Sequence, residues 1–258
     1  MVVASENMQK YFDQIEKDVN QAYSYAKKAK QLGFDYDTDV EITIAKNMAE
    51  RVIGLISIVA PQIKESGAVE RIIELENEYG ILDWKVALQI ALEIAKEKFC
   101  KFKDKKEAIE IGIRAGFAYG TVGVVSSPLE GFVDLNIKQR RDGQGEYFCM
   151  NFSGPIRNAG GTAASLSVLI ADYVRIKLGY KSYDPSEDEI RRTFIEITEY
   201  HERVTNLQYF PSQEETDFMT KNCPIEISGD PTEKFDVPTY KDLPRVITNK
   251  LRGGFCLI

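Results

Sequence analysis

Histidine and tryptophan each occur once in the 258 residues, and cysteine only four times. Cys100, Cys149, Cys223 and Cys256 never pair at the Cys-x-x-Cys spacing that a structural zinc site uses. Their wide separation and apolar neighbours, as in Phe148-Cys149-Met150, predict reduced, buried thiols of an intracellular protein. The single histidine, His201, has no nucleophile that the sequence pairs with it, so a structural hydrogen bond is expected there rather than a triad or a metal ligand. No apolar run is long enough to span a bilayer, and the start lacks a basic stretch followed by an apolar core. A cytoplasmic protein without membrane contact is the expectation. Cationic excess is absent too: 33 Lys and Arg stand against 40 Asp and Glu, a net charge of −7. Phosphate binding is driven by Lys and Arg displacing counterions, so any nucleic-acid contact must come from a local patch.

What is present falls into three stretches. In residues 1–44, Met8, Tyr11, Phe12, Ile15, Val19, Ala22 and Ala26 recur at three- and four-residue spacing, predicting an amphipathic helix over Glu6–Gln31, with Ser5 as N-cap and Gly33 as stop. Such an arm packs either on its own domain or on a partner subunit. Asp35, Asp37 and Asp39 alternate in the polar linker that follows and read as solvated carboxylates. Residues 45–125 read as a helical block, with helices over Met48–Ile58, Ala68–Tyr79, Trp84–Phe99 and Lys105–Tyr119. Residues 126–258 change character. Alternation over Leu129–Lys138 and over Glu146–Phe152, around Arg140-Arg141-Asp142-Gly143-Gln144-Gly145, predicts a β-hairpin. Helices follow over Thr162–Leu178, from Ser186 to Val204 and from Ser212 to Asn222, with further strands over Pro224–Ser228 and Val246–Ile258. The fold class is α+β: a helical arm and a helical block, then a mixed domain. The apolar run after Gly253-Gly254 reads as a strand just begun, which predicts a chain cut inside a larger protein.

The strand before Ser153 leads into a glycine-rich loop, and the loop opens the helix at Thr162. Glycine lets backbone approach a ligand or another chain closely, and the first N–H groups of a helix favour an anion. Gly154, Gly160, Gly161 and Thr162 therefore form a candidate phosphate loop, with Arg157 beside it. Gly and Ala at a helix start equally serve tight helix–sheet packing with no ligand. The loop lacks the Lys-Ser or Lys-Thr of a P-loop. It faintly resembles the loop of galactokinase- and mevalonate-kinase-type enzymes, which holds nucleotide phosphates. Two basic groups are candidates for DNA contact: Lys138, Arg140 and Arg141 around the hairpin turn, and Arg157, Asn158, Lys250 and Arg252. Tyr200, Tyr209 and Phe210 are either base-stacking rings or core.

Five segments stand in order: Ser127-Pro128-Leu129-Glu130-Gly131, Ser153 to Ala163, Tyr200 to Tyr209, Cys223 to Gly229 and Thr248 to Gly254. Together they resemble the N-terminal region of the large subunit of archaeal family D DNA polymerases, over nearly the whole chain. The resemblance implies a non-catalytic part of a DNA-directed DNA polymerase, serving subunit assembly and auxiliary DNA binding, with a KH-like part in its α+β domain. It implies a heterodimer with a small subunit that carries the 3′–5′ exonuclease, contact with the rest of the large subunit, and a sliding clamp bound elsewhere. Magnesium is expected for the full enzyme, held by acids beyond Ile258, and no cofactor or catalytic residue in this stretch. Two other readings stay open: a nucleotide-binding enzyme of the small-molecule kinase type using residues 154–165, and a purely structural interaction module.

Overall fold

A computed structural model describes residues 4–34, 44–123, 126–229 and 234–258. The aspartates at 35, 37 and 39 lie outside the described residues. Helix α1 runs over Glu6–Gln31, capped by Ser5, and not one of its residues is buried. In the helical block, α2 (Met48–Ile56), α3 (Ala68–Tyr79), α4 (Trp84–Ala95) and α5 (Lys105–Gly120) follow the apolar periodicity of the sequence. Helix α4 stops short of the expected Phe99, because the chain turns left-handed at Glu97, whose φ is 55°. Val86 to Ala95 are buried except Gln89, so α4 is the central rod of the block. Helix α5 crosses it closely: a methyl group at Gly116 would lie 2.6 Å from the Ala87 carbonyl oxygen.

The sheet supplies the second layer. Strand β1 (Phe132–Gln139) pairs antiparallel with β2 (Glu146–Phe152), and β2 pairs parallel with β3 (Glu226–Gly229). The hairpin turn is where the sequence put it, with Gly143 and Gly145 at φ 70° and 110°. Side chains alternate across β2. Phe148, Met150 and Phe152 enter the hydrophobic core that continues through α4 and α5. Tyr147, Cys149 and Asn151 point to the other face and are buried as well. Helix α6 (Gly161–Leu178) packs on α4 and α5, so the core is continuous across residue 125. Helices α7 (Glu187–Arg203) and α8 (Gln213–Asn222) complete the α+β fold, each opened by a capping box, at Ser186–Glu189 and Ser212–Glu215.

Two expectations are corrected. Leu129 to Gly131 do not join β1 but belong to a π-helical turn over Ser127–Gly131. Buried Arg114 fixes this turn by donating to the carbonyls of Pro128 and Phe132 at 2.6 and 2.5 Å. Gly131 has no room for a side chain there, since a methyl would meet Ile156 backbone. The strand expected over Val246–Ile258 does not form. Among the described residues this segment pairs in a single bridge, Asp236 with Lys250, and it ends in a 3-10 turn at Gly254–Cys256. Two contacts hold it off the ladder. Arg252 turns inward onto Glu196, and Gly253-Gly254 pass so near Gly229 that a methyl on Gly229 would lie 2.7 Å from the Gly254 nitrogen.

Candidate nucleic-acid interface

A 3-10 turn, Gly154–Ala159, bridges β2 to α6. It is tied to the π-turn: Ser153 N–H donates to the Gly131 carbonyl at 2.9 Å, Ser127 Oγ to the Pro155 carbonyl at 3.2 Å, and Asn158 Nδ2 to Ser126 Oγ at 2.9 Å. Gly160 then takes φ 78°, and α6 begins with no side chain capping it. Its first N–H groups carry the partial positive charge of the helix end. Arg157 is exposed at this end, its guanidinium 5.6 Å from the Tyr200 ring centre, with Nη2 donating to the Tyr200 hydroxyl at 3.3 Å.

An open groove of about 830 Å³ starts here. Its lining includes Arg157, Gly160 and Gly161, the polar Asn206 and Gln208, the ring of Tyr209, and the apolar Ile197, Leu207 and Met219. Thr162 borders a second, shallower hollow beside Leu166 and Leu169. Gly154 is exposed and away from the groove. The groove thus gathers one cation, one carboxylate, a helix N-terminus, polar side chains and an exposed ring, the carboxylate of Glu215 accepting from the Tyr209 hydroxyl at 2.8 Å. Sequence reading missed Asn206, Gln208 and Met219, which reach the groove only through the return of α7 and α8. His201 shapes that return by accepting the Leu207 N–H at Nδ1, 3.0 Å away, the structural role expected of it.

The two basic sets do not survive as sets. Lys138 lies on the polar face of the sheet, where Nζ meets both Glu226 oxygens at 2.9 Å and the Arg245 carbonyl at 3.0 Å. Arg252 is buried: Nε and Nη2 hold Glu196, and Nη1 donates to Ser228 Oγ at 2.9 Å. Burial opposes the Arg252 charge, yet Glu196 and Glu226 prevail and raise its pKa above the ordinary arginine value. Neither Lys138 nor Arg252 presents its charge to a phosphate, so both leave the DNA-contact set. Arg140 is folded back on Asp142 at 2.8 Å and on the Ser182 carbonyl. This hydrogen bond, with the Gln144 N–H, holds the Asp142 pKa at about 2. Lys250 pairs with Asp236 at 2.7 Å. Arg141, Arg157 and Asn158 remain exposed.

Lys138 and Arg252 belong to a chain of buried ion pairs that sequence reading did not assemble. Arg192, fully buried, donates to the Tyr240 and Thr248 carbonyls and to Glu196. Arg245 pairs with Asp184 and Glu189, both at 2.6 Å, and its guanidinium lies 5.3 Å from each of the Tyr147 and Tyr183 rings. Tyr147 donates to Glu226 at 2.9 Å. The chain fastens residues 240–252 to α7 and to the sheet. Only the four-residue spacing of Arg192 and Glu196 announced any of it.

Residues 10–258 match the family described as DNA polymerase II large subunit DP2, N-terminal. The chain is 48% identical over 248 residues to the DNA polymerase II large subunit of Nanoarchaeum equitans, covering 96% of this chain and 20% of that protein. It is 41% identical over 257 residues to that of Thermococcus kodakarensis, covering 99% and 14%. For the Methanosarcina barkeri protein the identity is 40% over 256 residues, covering 99% and 21%. The chain thus spans about a fifth or less of the length of these relatives. No helix among the described residues is long and apolar enough to cross a membrane.

Proposed function

From the premise that this chain belongs to the family of DNA polymerase II large-subunit N-terminal regions, we propose that it is a non-catalytic portion of a cytoplasmic, replicative DNA-directed DNA polymerase. Its tasks are to assemble with other parts of the enzyme and to hold DNA beside the reaction. The metal-bound carboxylates of nucleotidyl transfer belong, in this reading, to the remainder of the large subunit, and the exonuclease to the small subunit.

The observation that carries DNA binding is the exposed guanidinium of Arg157 at the uncapped start of α6. A phosphate seated there meets a full charge and the helix N–H groups together. Asn158 adds a donor, and Tyr209, with 67% of its surface exposed, offers a ring along the groove. Arg141 on the hairpin turn is a second contact that follows the backbone without reading sequence. Assembly is carried by α1, whose apolar stripe is left without a buried residue. Fluorescence anisotropy with single- and double-stranded DNA over a salt series tests the binding. Affinity that falls as salt rises supports it; a chain that binds neither form at low salt is an assembly module only.

A further inference from the structure

The turn between α3 and α4 presents another surface. Leu82 sits at φ 63°, the left-handed region that a branched side chain enters only under constraint. The constraint is a pair of hydrogen bonds. Leu82 N–H donates to the Tyr119 hydroxyl at 2.9 Å, which itself donates to Glu76 at 2.9 Å. Asp83 then caps α4 through the Lys85 N–H at 2.8 Å. The pinned turn holds Trp84, the only tryptophan, with 56% of its surface open to solvent.

Its neighbours are rings and ammonium groups. Lys85 Nζ lies 5.5 Å from the centre of the Tyr79 ring and 6.0 Å from that of Trp84. Tyr173 of α6 reaches α4, its hydroxyl 3.5 Å from Gln89 Oε1, and it carries Lys177 Nζ at 5.6 Å from its own ring. Neither ammonium forms an ion pair among the described residues. Of the carboxylates nearby, Glu76 accepts from Tyr119 at 2.9 Å, Asp83 serves as the cap and Asp172 pairs with Arg175 at 2.7 Å. Open rings flanked by cations without carboxylate partners match a stack of bases on a phosphate backbone. The bases must be unpaired, because a ring cannot stack on a base already stacked within a duplex.

We propose that Trp84, Tyr79 and Lys85, with Tyr173 and Lys177, form a stacking platform for single-stranded DNA. It is separate from the Arg157 groove, since Tyr173 lies roughly 18 Å along α6 from Gly161 at the usual helical rise. Bases lie on the Trp84 and Tyr79 rings, and the phosphates between them meet Lys85 and Lys177.

Selective excitation of tryptophan makes Trp84 the sole reporter of this surface. Titrating the whole chain with oligodeoxythymidylate at low salt should quench its emission saturably, whereas blunt duplex should not. Tyr79→Ala and Lys85→Gln, both at exposed side chains, should each move the midpoint about tenfold or more. Quenching should stay saturable in Arg157→Ala, which separates this site from the groove. Emission unmoved by the oligonucleotide overturns the proposal. So does quenching that duplex reproduces or that Lys85→Gln leaves unchanged. A response only to an added small subunit makes the surface a protein interface and has the same effect.

Discussion

Arg252 holds Glu196 with two nitrogens, Nε at 3.0 Å and Nη2 at 2.8 Å, and both side chains are buried between α7 and the chain's last stretch. Arg192 grips the same carboxylate one helical turn earlier. A buried carboxylate that loses one of its cations is left partly uncompensated, at a cost of about 3–5 kcal/mol. Arg252→Met should therefore lower stability by about 3 kcal/mol in urea unfolding. Its DNA affinity per folded molecule should stay at the wild-type value. Weaker binding with stability intact would show that Arg252 faces the ligand instead.

The contrast between Arg157 and Lys138 tests the interface directly. Arg157→Ala should reduce the salt slope of DNA binding by about one and leave the melting curve in place. Lys138→Ala should do the reverse. It takes from Glu226, which is 4% exposed, the closer of its two cations, leaving Tyr147 at 2.9 Å and Arg252 at 3.9 Å, and should destabilise the chain by about 3 kcal/mol without changing the slope. Equal effects on the slope would return Lys138 to the contact set.

The divide between what was legible and what was not follows the range of the interactions. Local signals placed the elements: Ser5, Ser186 and Ser212 open their helices as N-caps, and Gly143 and Gly145 close the hairpin at positive φ. The inward turn of Lys138 and Arg252 was not legible, because charge alone does not say which way a side chain turns. Arg252 and Lys138 meet carboxylates 56 and 88 residues away, and no periodicity encodes such pairings. Several family segments now have structural reasons. Gly131 and Gly229 are places where two backbones touch, as Gly116 is in the crossing of α4 and α5, and Gly253 leaves room for the Leu257 side chain.

Gly116→Ala probes that crossing. The added methyl would meet the Ala87 carbonyl at 2.6 Å and the Ala91 methyl at 2.9 Å, and a helix backbone cannot yield as a side-chain tip does. Alanine's better helix propensity, worth about 1 kcal/mol, is outweighed by overpacking. A net loss of about 1–2 kcal/mol in chemical denaturation is expected.

Acid should loosen the helical block through Glu93. Burial works to raise its pKa, but hydrogen bonds from Arg71, Lys98 and Gln89 outweigh it and hold the pKa below the ordinary 4.5. A carboxylate whose pKa is depressed on folding stabilises the fold fully above its unfolded pKa. That contribution fades as the pH falls through the lower, folded value. Glu93→Gln should therefore flatten the loss of stability below about pH 4.5 and destabilise the chain at neutral pH. Thermal melts of both proteins across that range check it.

The last test separates folding from assembly. Phe12, Ile15 and Val19 lie on one stripe of α1; they are half-buried, yet none belongs to the core or packs against it. Exposed substitutions away from packed contacts usually change stability by no more than about 0.5 kcal/mol. Ile15→Asp should accordingly leave the melting midpoint unchanged. An interface behaves differently, because a carboxylate placed among apolar contacts must be desolvated without a partner. If α1 docks on another part of the polymerase, the same substitution should abolish co-purification of the large subunit with that part. Full assembly of the Ile15→Asp protein would reject a docking role for the helix. A fallen midpoint would instead place the stripe against the chain's own core.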